Sequence, residues 1–269
     1  MQKCYYIDIM RELFFREAFM QEKNFLMESV IIRQRDYGEN DRIITILGME
    51  HGKIPAIAKG VRKQSSNLRG PTTLFAHSRL ALYRGRGNLF TVTQGETLNP
   101  FLSLREDLTK IVYASYVAEL LDVGLPEGKP HDDVFLLALA TFSLFDLHGD
   151  LPLAARFFEL RFLRQLGLAP DLEGCRVCGR RLFSSTFTLS PLHGGLLCAA
   201  CHGKAAGLVS AGTAQVMRQL LNMDLHKLPS LKLSRQNHQE MREAVIPYLD
   251  YHLDYSAKAR VFLDSLGET

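Results

Sequence analysis

The hydrophobic period of the chain switches from that of strands to that of helices at Asn99-Pro100, and no fold built from a single kind of element can accommodate that change. Before it, residues 30–32, 42–47, 53–58, 79–83 and 89–93 are short runs rich in β-branched and aromatic residues, separated by Gly, Asn, Asp and Ser. His51-Gly52 and Arg84-Gly85-Arg86-Gly87-Asn88 read as hairpin turns, because glycine adopts the positive φ that tight turns demand. Five strands this close together predict a small closed barrel. An oligonucleotide-binding (OB) barrel fits the count, and an SH3-like barrel fits the same pattern. After the switch, Leu104, Leu108, Ile111, Val112, Tyr116 and Leu120 form one helical stripe ending near Gly124 and Pro126. A second helix over 132–147 is apolar nearly all round, which predicts the buried centre of a helical domain. Pro152 opens a third helix that Gly167 and Pro170 close. Helical spacing returns over 210–221 and again from 237, with Pro247 kinking or dividing the last helix. With 46% hydrophobic and 23% charged residues the chain can fill such cores, which excludes general disorder. The apolar stretch 134–147 falls short of the roughly 20 residues needed to cross a bilayer, so no membrane span is expected.

Cysteine spacing adds a second constraint. Cys175-x-x-Cys178 and Cys198-x-x-Cys201 are separated by 19 residues. Thiolates at i and i+3 on a tight turn face one ion, and two such turns complete a tetrahedron of sulfurs about 2.3 Å from Zn²⁺. Two disulfides are the alternative, but the N-terminus has neither the apolar core nor the small-residue cleavage site of a secretion signal. One structural Zn²⁺ held by Cys175, Cys178, Cys198 and Cys201 is therefore expected, with no coordination position left for catalysis. His193 and His202 lie near the second pair and are alternative ligands; Cys4 is left over. The module is too short to build a core of its own, so metal binding must hold it together.

Charge is distributed unevenly. Net charges are 0 over 1–26, +5 over 27–98 and −2 over 99–269. The surplus centres on Lys59-Gly60-Val61-Arg62-Lys63-Gln64-Ser65-Ser66-Asn67-Leu68-Arg69-Gly70, which carries four cations and no acid. Its Gly and Ser content predicts a flexible loop able to follow a phosphate backbone. Arg84 and Arg86 on a hairpin tip, and Arg33 and Arg35 after the first strand, are expected to extend that surface. Tyr37, Phe75, Tyr83 and Phe90 are candidates for stacking on bases, although barrel core is the commoner use of Phe75, Tyr83 and Phe90.

No catalytic signature accompanies these features, and the protein is expected not to be an enzyme. Gly48-Met49-Glu50-His51-Gly52-Lys53-Ile54 is one residue short of a phosphate-binding loop, and Ile54 stands where a magnesium-binding hydroxyl is needed. The expected class is thus α+β and multidomain. Residues 1–26 form an extension without assigned function, for which Met20 or Met27 is an alternative start. Residues 27–99 form the OB barrel, and 100–171 and 209–269 an all-α helical domain. The four-cysteine zinc module, 172–208, is inserted in that domain.

Tyr37-Gly38-Glu39-Asn40-Asp41-Arg42-Ile43, then Ala58-Lys59-Gly60-Val61-Arg62-Lys63, then Gly85-Arg86-Gly87-Asn88-Leu89 leading to Thr93-Gln94-Gly95-Glu96, resemble in order and spacing the N-terminal signature of the bacterial RecO family of recombination mediators. The likeness extends over roughly residues 27–265. It implies a cytoplasmic, nucleoid-associated protein of DNA damage repair that binds single- and double-stranded DNA and anneals complementary strands. With RecR, such a protein helps load RecA onto strands coated by single-stranded-DNA-binding protein (SSB), whose acidic tail binds the helical domain. Carried over by motif, Lys59, Arg62 and Lys63 become the leading DNA contacts, with Arg69, Arg84 and Arg86 weaker. Tyr37, Gly38 and Asp41 look structural, as parts of a glycine bend with an Asx-type hydrogen bond. An RNA-binding or translation-associated module and a protein-only adaptor are the alternatives.

Overall fold

The computed structural model describes residues 23–147, 149–181, 186–202 and 207–265. The chain divides after Pro100 into two compact units. In the first, β1 (Asn24–Tyr37), β2 (Asp41–Gly48), β3 (Gly52–Ala58), β4 (His77–Arg84) and β5 (Phe90–Asn99) close a barrel in the order β1-β2-β3-β5-β4. All pairs are antiparallel except β3 with β5. This is the OB-type arrangement, which decides between the two barrels the pattern allows. β1 makes closure possible. Its first half pairs with β4, its second half with β2, and a register shift between Ile31 and Arg33 bends it from one to the other.

Alternation along these strands sends Met27, Ile31, Ile44, Ile46, Ile54, Leu80, Leu82 and Val92 into one core. The buried Met27 side chain fills the space beside Gly48, where a Cβ would lie 2.0 Å from its sulfur. β1 starts earlier than the sequence pattern suggests. Asn24, Phe25 and Leu26, assigned to the extension, pair with Tyr83, Leu82 and Ala81. Phe25 packs on the core and stacks 4.3 Å from His51, so these residues belong to the barrel. The rest of the expected extension, residues 1–22, lies outside the described residues, as does Cys4.

The second unit begins with α1 (Leu102–Glu106), α2 (Leu108–Gly124), α3 (Asp132–Leu147) and α4 (Leu151–Gln165). The metal module follows, with β6 (Phe187–Ser190), β7 (Gly195–Cys198), α5 (Ala199–His202) and β8 (Leu208–Val209). The unit closes with α6 (Ala211–Asn222), a 3-10 turn (Leu225–Ser230), α7 (Arg235–Leu253) and α8 (Lys258–Ser265). The single stripe expected from Leu104 to Leu120 is broken at Asp107. Its carboxylate accepts from the Thr109 and Lys110 N–H groups and restarts the helix, leaving Leu108 exposed. Asp150 caps α4 in the same way, with Pro152 in the first turn. α7 runs unbroken through Pro247.

The buried centre is α4, and not α3 as its composition suggests. α3 leaves Leu136 and Leu147 exposed, whereas α4 buries residues on all sides, including Arg156 and Glu159. Those two charges pair at 2.8 Å, and the Tyr116 hydroxyl donates to Glu159 at 2.6 Å, which satisfies much of a helix that reads as amphipathic. Among the described residues no helix is long and apolar enough to cross a membrane.

Candidate nucleic-acid interface and metal centre

The connection from β3 to β4 carries the densest run of cations, and it is built as a series of turns rather than as the flexible loop its composition suggests. Asp41 accepts from the Gly60 N–H at 2.7 Å, and the Arg62 N–H donates to the Asn40 carbonyl at 3.0 Å. Both bonds tie this connection to the turn after β1. Lys63 to Gly60, Ser66 to Lys63 and Arg69 to Ser66 then close successive turns through their backbones. The Arg69 guanidinium donates to the carbonyls of Arg62 and Lys63, each at 3.2 Å. Val61 is buried, with Leu68 and Leu74 against the barrel core. Periodicity could not reveal this order, because it comes from side-chain and turn hydrogen bonds.

The eight candidate cations come from three stretches of chain. Arg33 lies opposite Thr45 and Arg35 opposite Ile43, while the next residues, Ile44 and Ile46, point into the core; both arginines therefore stand on the outward face of the barrel. Ile43 pairs in turn with Ile57, and Lys59 follows two residues on, so the outward face leads directly to the cationic crest. Lys59 and Lys63 are exposed there. Arg62 is partly neutralised by Asp36 at 3.4 Å, a carboxylate that Arg42 also contacts at 3.0 Å. Arg84 and Arg86 stand on the β4–β5 tip. Phe90, which pairs with Arg84, also lies beside Ala56, three residues before Lys59, so the tip leaves the barrel next to the last residues of β3. Arg84 lies over the Phe90 ring, 5.6 Å from its centroid.

Most carboxylates of the barrel are engaged. Glu28 contacts His77 at 2.8 Å and Glu96 contacts Arg79 at 3.6 Å, in addition to Asp36 and Asp41. Of the aromatic candidates, Phe75 and Phe90 are core residues, 2% and 8% exposed. Tyr37 is 54% exposed on the outward row. Tyr83, whose commoner use would be core, is 39% exposed opposite Asn24 and Thr91.

The four paired cysteines converge. The Cys175 N–H donates to the Arg180 carbonyl and the Gly179 N–H to the Cys175 carbonyl, with Gly179 at φ +70°, which folds the first pair into a knuckle. Cys198 ends β7 and Cys201 lies on α5. All four sulfurs fall within 4.8 Å of one another, with Cys178 and Cys198 3.6 Å apart. Four sulfurs about 2.3 Å from one ion would be separated by about 3.8 Å, whereas a disulfide requires about 2.05 Å. All four are free thiols, and a soft, four-sulfur donor set fits a metal ion.

The protons of the cluster are held unequally. Burial raises the Cys175 thiol, but the N–H groups of Cys178, Cys198 and Val177, with the Cys178 thiol, outweigh this and lower it to about 6. Hydrogen bonds with the Cys178 and Cys198 thiols push Cys201 up to about 12. His193 bonds Ser190 at 2.9 Å and takes no part in the cluster; the His202 side chain lies outside the described residues. The module is fastened to its unit by Asp171, which exchanges backbone bonds with Gly194 and Leu196 and pairs with Arg176 at 2.8 Å. Arg218 on α6 adds a bond to Glu173 at 2.8 Å.

A feature that sequence reasoning did not locate is an open cavity of about 340 Å³ in the helical unit. Leu144, Leu153, Leu228 and Pro229 line it together with Asp150 and Lys232. Its walls come from three separate elements, so no local motif announces it.

Comparisons with known proteins agree with this division of the chain. Residues 20–101 match the family model described as recombination protein O N terminal, and residues 105–260 match recombination protein O C terminal. The DNA repair protein RecO of Pelotomaculum thermopropionicum is 40% identical over 248 residues, covering 91% of this chain and 96% of that protein. Its namesake in Moorella thermoacetica is 36% identical over 248 residues, covering 90% and 91%. That of Desulforamulus reducens is 32% identical over 246 residues, covering 91% and 95%. A barrel of OB type, a helical unit with a four-thiol centre, and similarity along nearly the whole length lead to one conclusion: the chain belongs to the RecO family of DNA repair proteins.

Proposed function

We propose that the barrel binds single- and double-stranded DNA through its phosphates, along the outward row of Arg33 and Arg35 and the crest of Lys59, Arg62, Lys63 and Arg69. The observation that carries this is the continuity of Arg33, Arg35, Lys59 and Lys63 from the outward row to the crest, while Glu28 is engaged by His77, Glu96 by Arg79, and Asp36 is shared between Arg42 and Arg62. Annealing needs two polyanions to approach one another. A surface that neutralises phosphates without reading bases lowers that barrier and involves no bond chemistry. Acting with RecR, the protein then helps RecA load onto SSB-coated strands, in the cytoplasm and on the nucleoid.

Zn²⁺ is the ion that the four thiols would hold. When bound it supplies structural cross-linking, because four thiolates leave no position for water or substrate. Cys175 and Cys198, both buried, fix the inner side of the site, and Cys178 and Cys201 close it.

The test is a salt titration of binding to a labelled single strand. Replacing Arg35, Lys59 and Lys63 by Ala should weaken binding and flatten the slope of log K against log salt by about 2, at roughly 0.7 per lost phosphate contact. An unchanged slope removes this surface from the account. Tighter binding to RNA than to DNA of the same sequence would favour a translation-associated role.

A further inference from the structure

Counted as a block, residues 99–269 are slightly acidic, which conceals a local reversal. Between Glu173 and Asp224 the chain runs for 50 residues without one acid, and carries Arg176, Arg180, Arg181, Lys204 and Arg218. Three of these cations fall on the first cysteine knuckle, where residues 176–181 are all exposed.

The two carboxylates just before the knuckle are already engaged, Asp171 by Arg176 and Glu173 by Arg218, each at 2.8 Å. Arg180 and Arg181 therefore carry the excess charge. Their backbone is also held firmly: the Arg180 carbonyl accepts from the Cys175 N–H at 2.8 Å, and Arg181 bridges to Gly174 across the base of the knuckle. Gly174 permits that approach, since a Cβ there would lie 2.8 Å from the Arg180 carbonyl oxygen. The knuckle thus presents two adjacent guanidinium groups from a fixed backbone next to the exposed Val177.

We infer that Arg180 and Arg181 form a second contact for the phosphates of a single-stranded nucleic acid, separate from the barrel. The inference rests on the DNA-binding reading above. Guanidinium groups suit it, because each offers a planar fork of donors matched to phosphate oxygens. Four thiolates around a divalent ion leave two negative charges at the centre. The N–H groups directed at Cys175 partly offset that charge, while the arginines meet the strand at the exposed side.

The experiment uses the full chain with its metal. Binding of a labelled oligothymidylate is measured by fluorescence anisotropy over a series of salt concentrations for wild type, for Arg180→Ala/Arg181→Ala and for Arg180→Lys/Arg181→Lys, with metal content determined on each sample. The Ala pair should bind several-fold more weakly and lose about 1.4 from the salt slope, two phosphate contacts at roughly 0.7 each. The Lys pair should keep most of the slope. If the Ala pair loses metal, the Lys pair decides, since it preserves charge and must then retain the wild-type slope. Wild-type affinity and slope in the Ala pair overturn the inference, even if binding of a protein partner is lost. Absence of salt-dependent binding in wild type instead defeats the DNA reading itself, and the two failures are distinct.

Discussion

Replacing Arg156 by Met should be among the most damaging single changes in the helical unit. Glu159 is fully buried and Arg156 nearly so, their contact is 2.8 Å, and among the described residues the carboxylate's other hydrogen-bond partner is the Tyr116 hydroxyl at 2.6 Å. One oxygen of Glu159 and one terminal nitrogen of Arg156 already have no hydrogen-bond partner among the described residues. Removing the cation strands a buried carboxylate, at a cost of about 3–5 kcal/mol. At 2–4 °C per kcal/mol for a unit of this size, the midpoint of thermal unfolding should fall by roughly 6–20 °C. The loss should also depend on pH. Burial raises the Glu159 carboxyl above its ordinary value, with Arg156 and the Tyr116 hydrogen bond opposing the rise. A folded-state value above the unfolded one means that the native state holds the proton more tightly, so stability falls as pH rises through that window. Without Arg156 the window extends upward, and the variant should recover stability on acidification toward the ordinary carboxyl range. Calorimetry at pH 5 and pH 7.5 measures both effects. Arg156→Met combined with Glu159→Leu should regain most of the lost stability, because no charge then remains buried. A single variant as stable as wild type at pH 7.5, or a double variant no better than the single, would refute the reasoning.

Two further expectations concern the metal module and the barrel. Cys178→Ser should purify with well under one equivalent of zinc and show faster hydrogen exchange in β6 and β7, while the barrel strands keep their protection; full zinc content would contradict the four-thiol site. Phe75→Ala should destabilise the barrel by about 3–5 kcal/mol through the cavity it leaves, with DNA affinity of the folded protein unchanged, since the ring is 2% exposed; a selective loss of affinity in urea-matched samples would return Phe75 to the list of stacking residues.

What the sequence made legible follows the range of the forces involved. Five strands and the later helices were readable because alternation and 3.6-residue spacing are local consequences of which face is buried. The four thiols were readable because i, i+3 spacing brings two sulfurs to one ion without reference to the rest of the fold. The position of Arg84 and Arg86 relative to Lys59 was not legible, because it depends on the parallel pairing of β3 with β5, a long-range contact that leaves no local signal. The first residues of β1 were missed because Leu26 faces solvent and only Phe25 points inward, too short a signal to register as alternation. α4 was passed over as the centre because Arg156 and Glu159 lower its apparent hydropathy, although each neutralises the other where it is buried. The order of the crest was hidden for another reason. Asp41 and the carbonyls of Asn40 and Gly60 hold it in place, and such bonds leave no trace in hydrophobic patterning.

The most direct test of the whole account is the rate at which complementary oligonucleotides coated with single-stranded-DNA-binding protein pair in the presence of this chain. Wild-type protein should accelerate pairing at low salt and lose the effect as salt rises, and the Arg35→Ala/Lys59→Ala/Lys63→Ala variant should lose most of it while remaining folded and zinc-loaded. Acceleration that persists in the variant, or that is indifferent to salt, would contradict the claim that these cations bring the strands together.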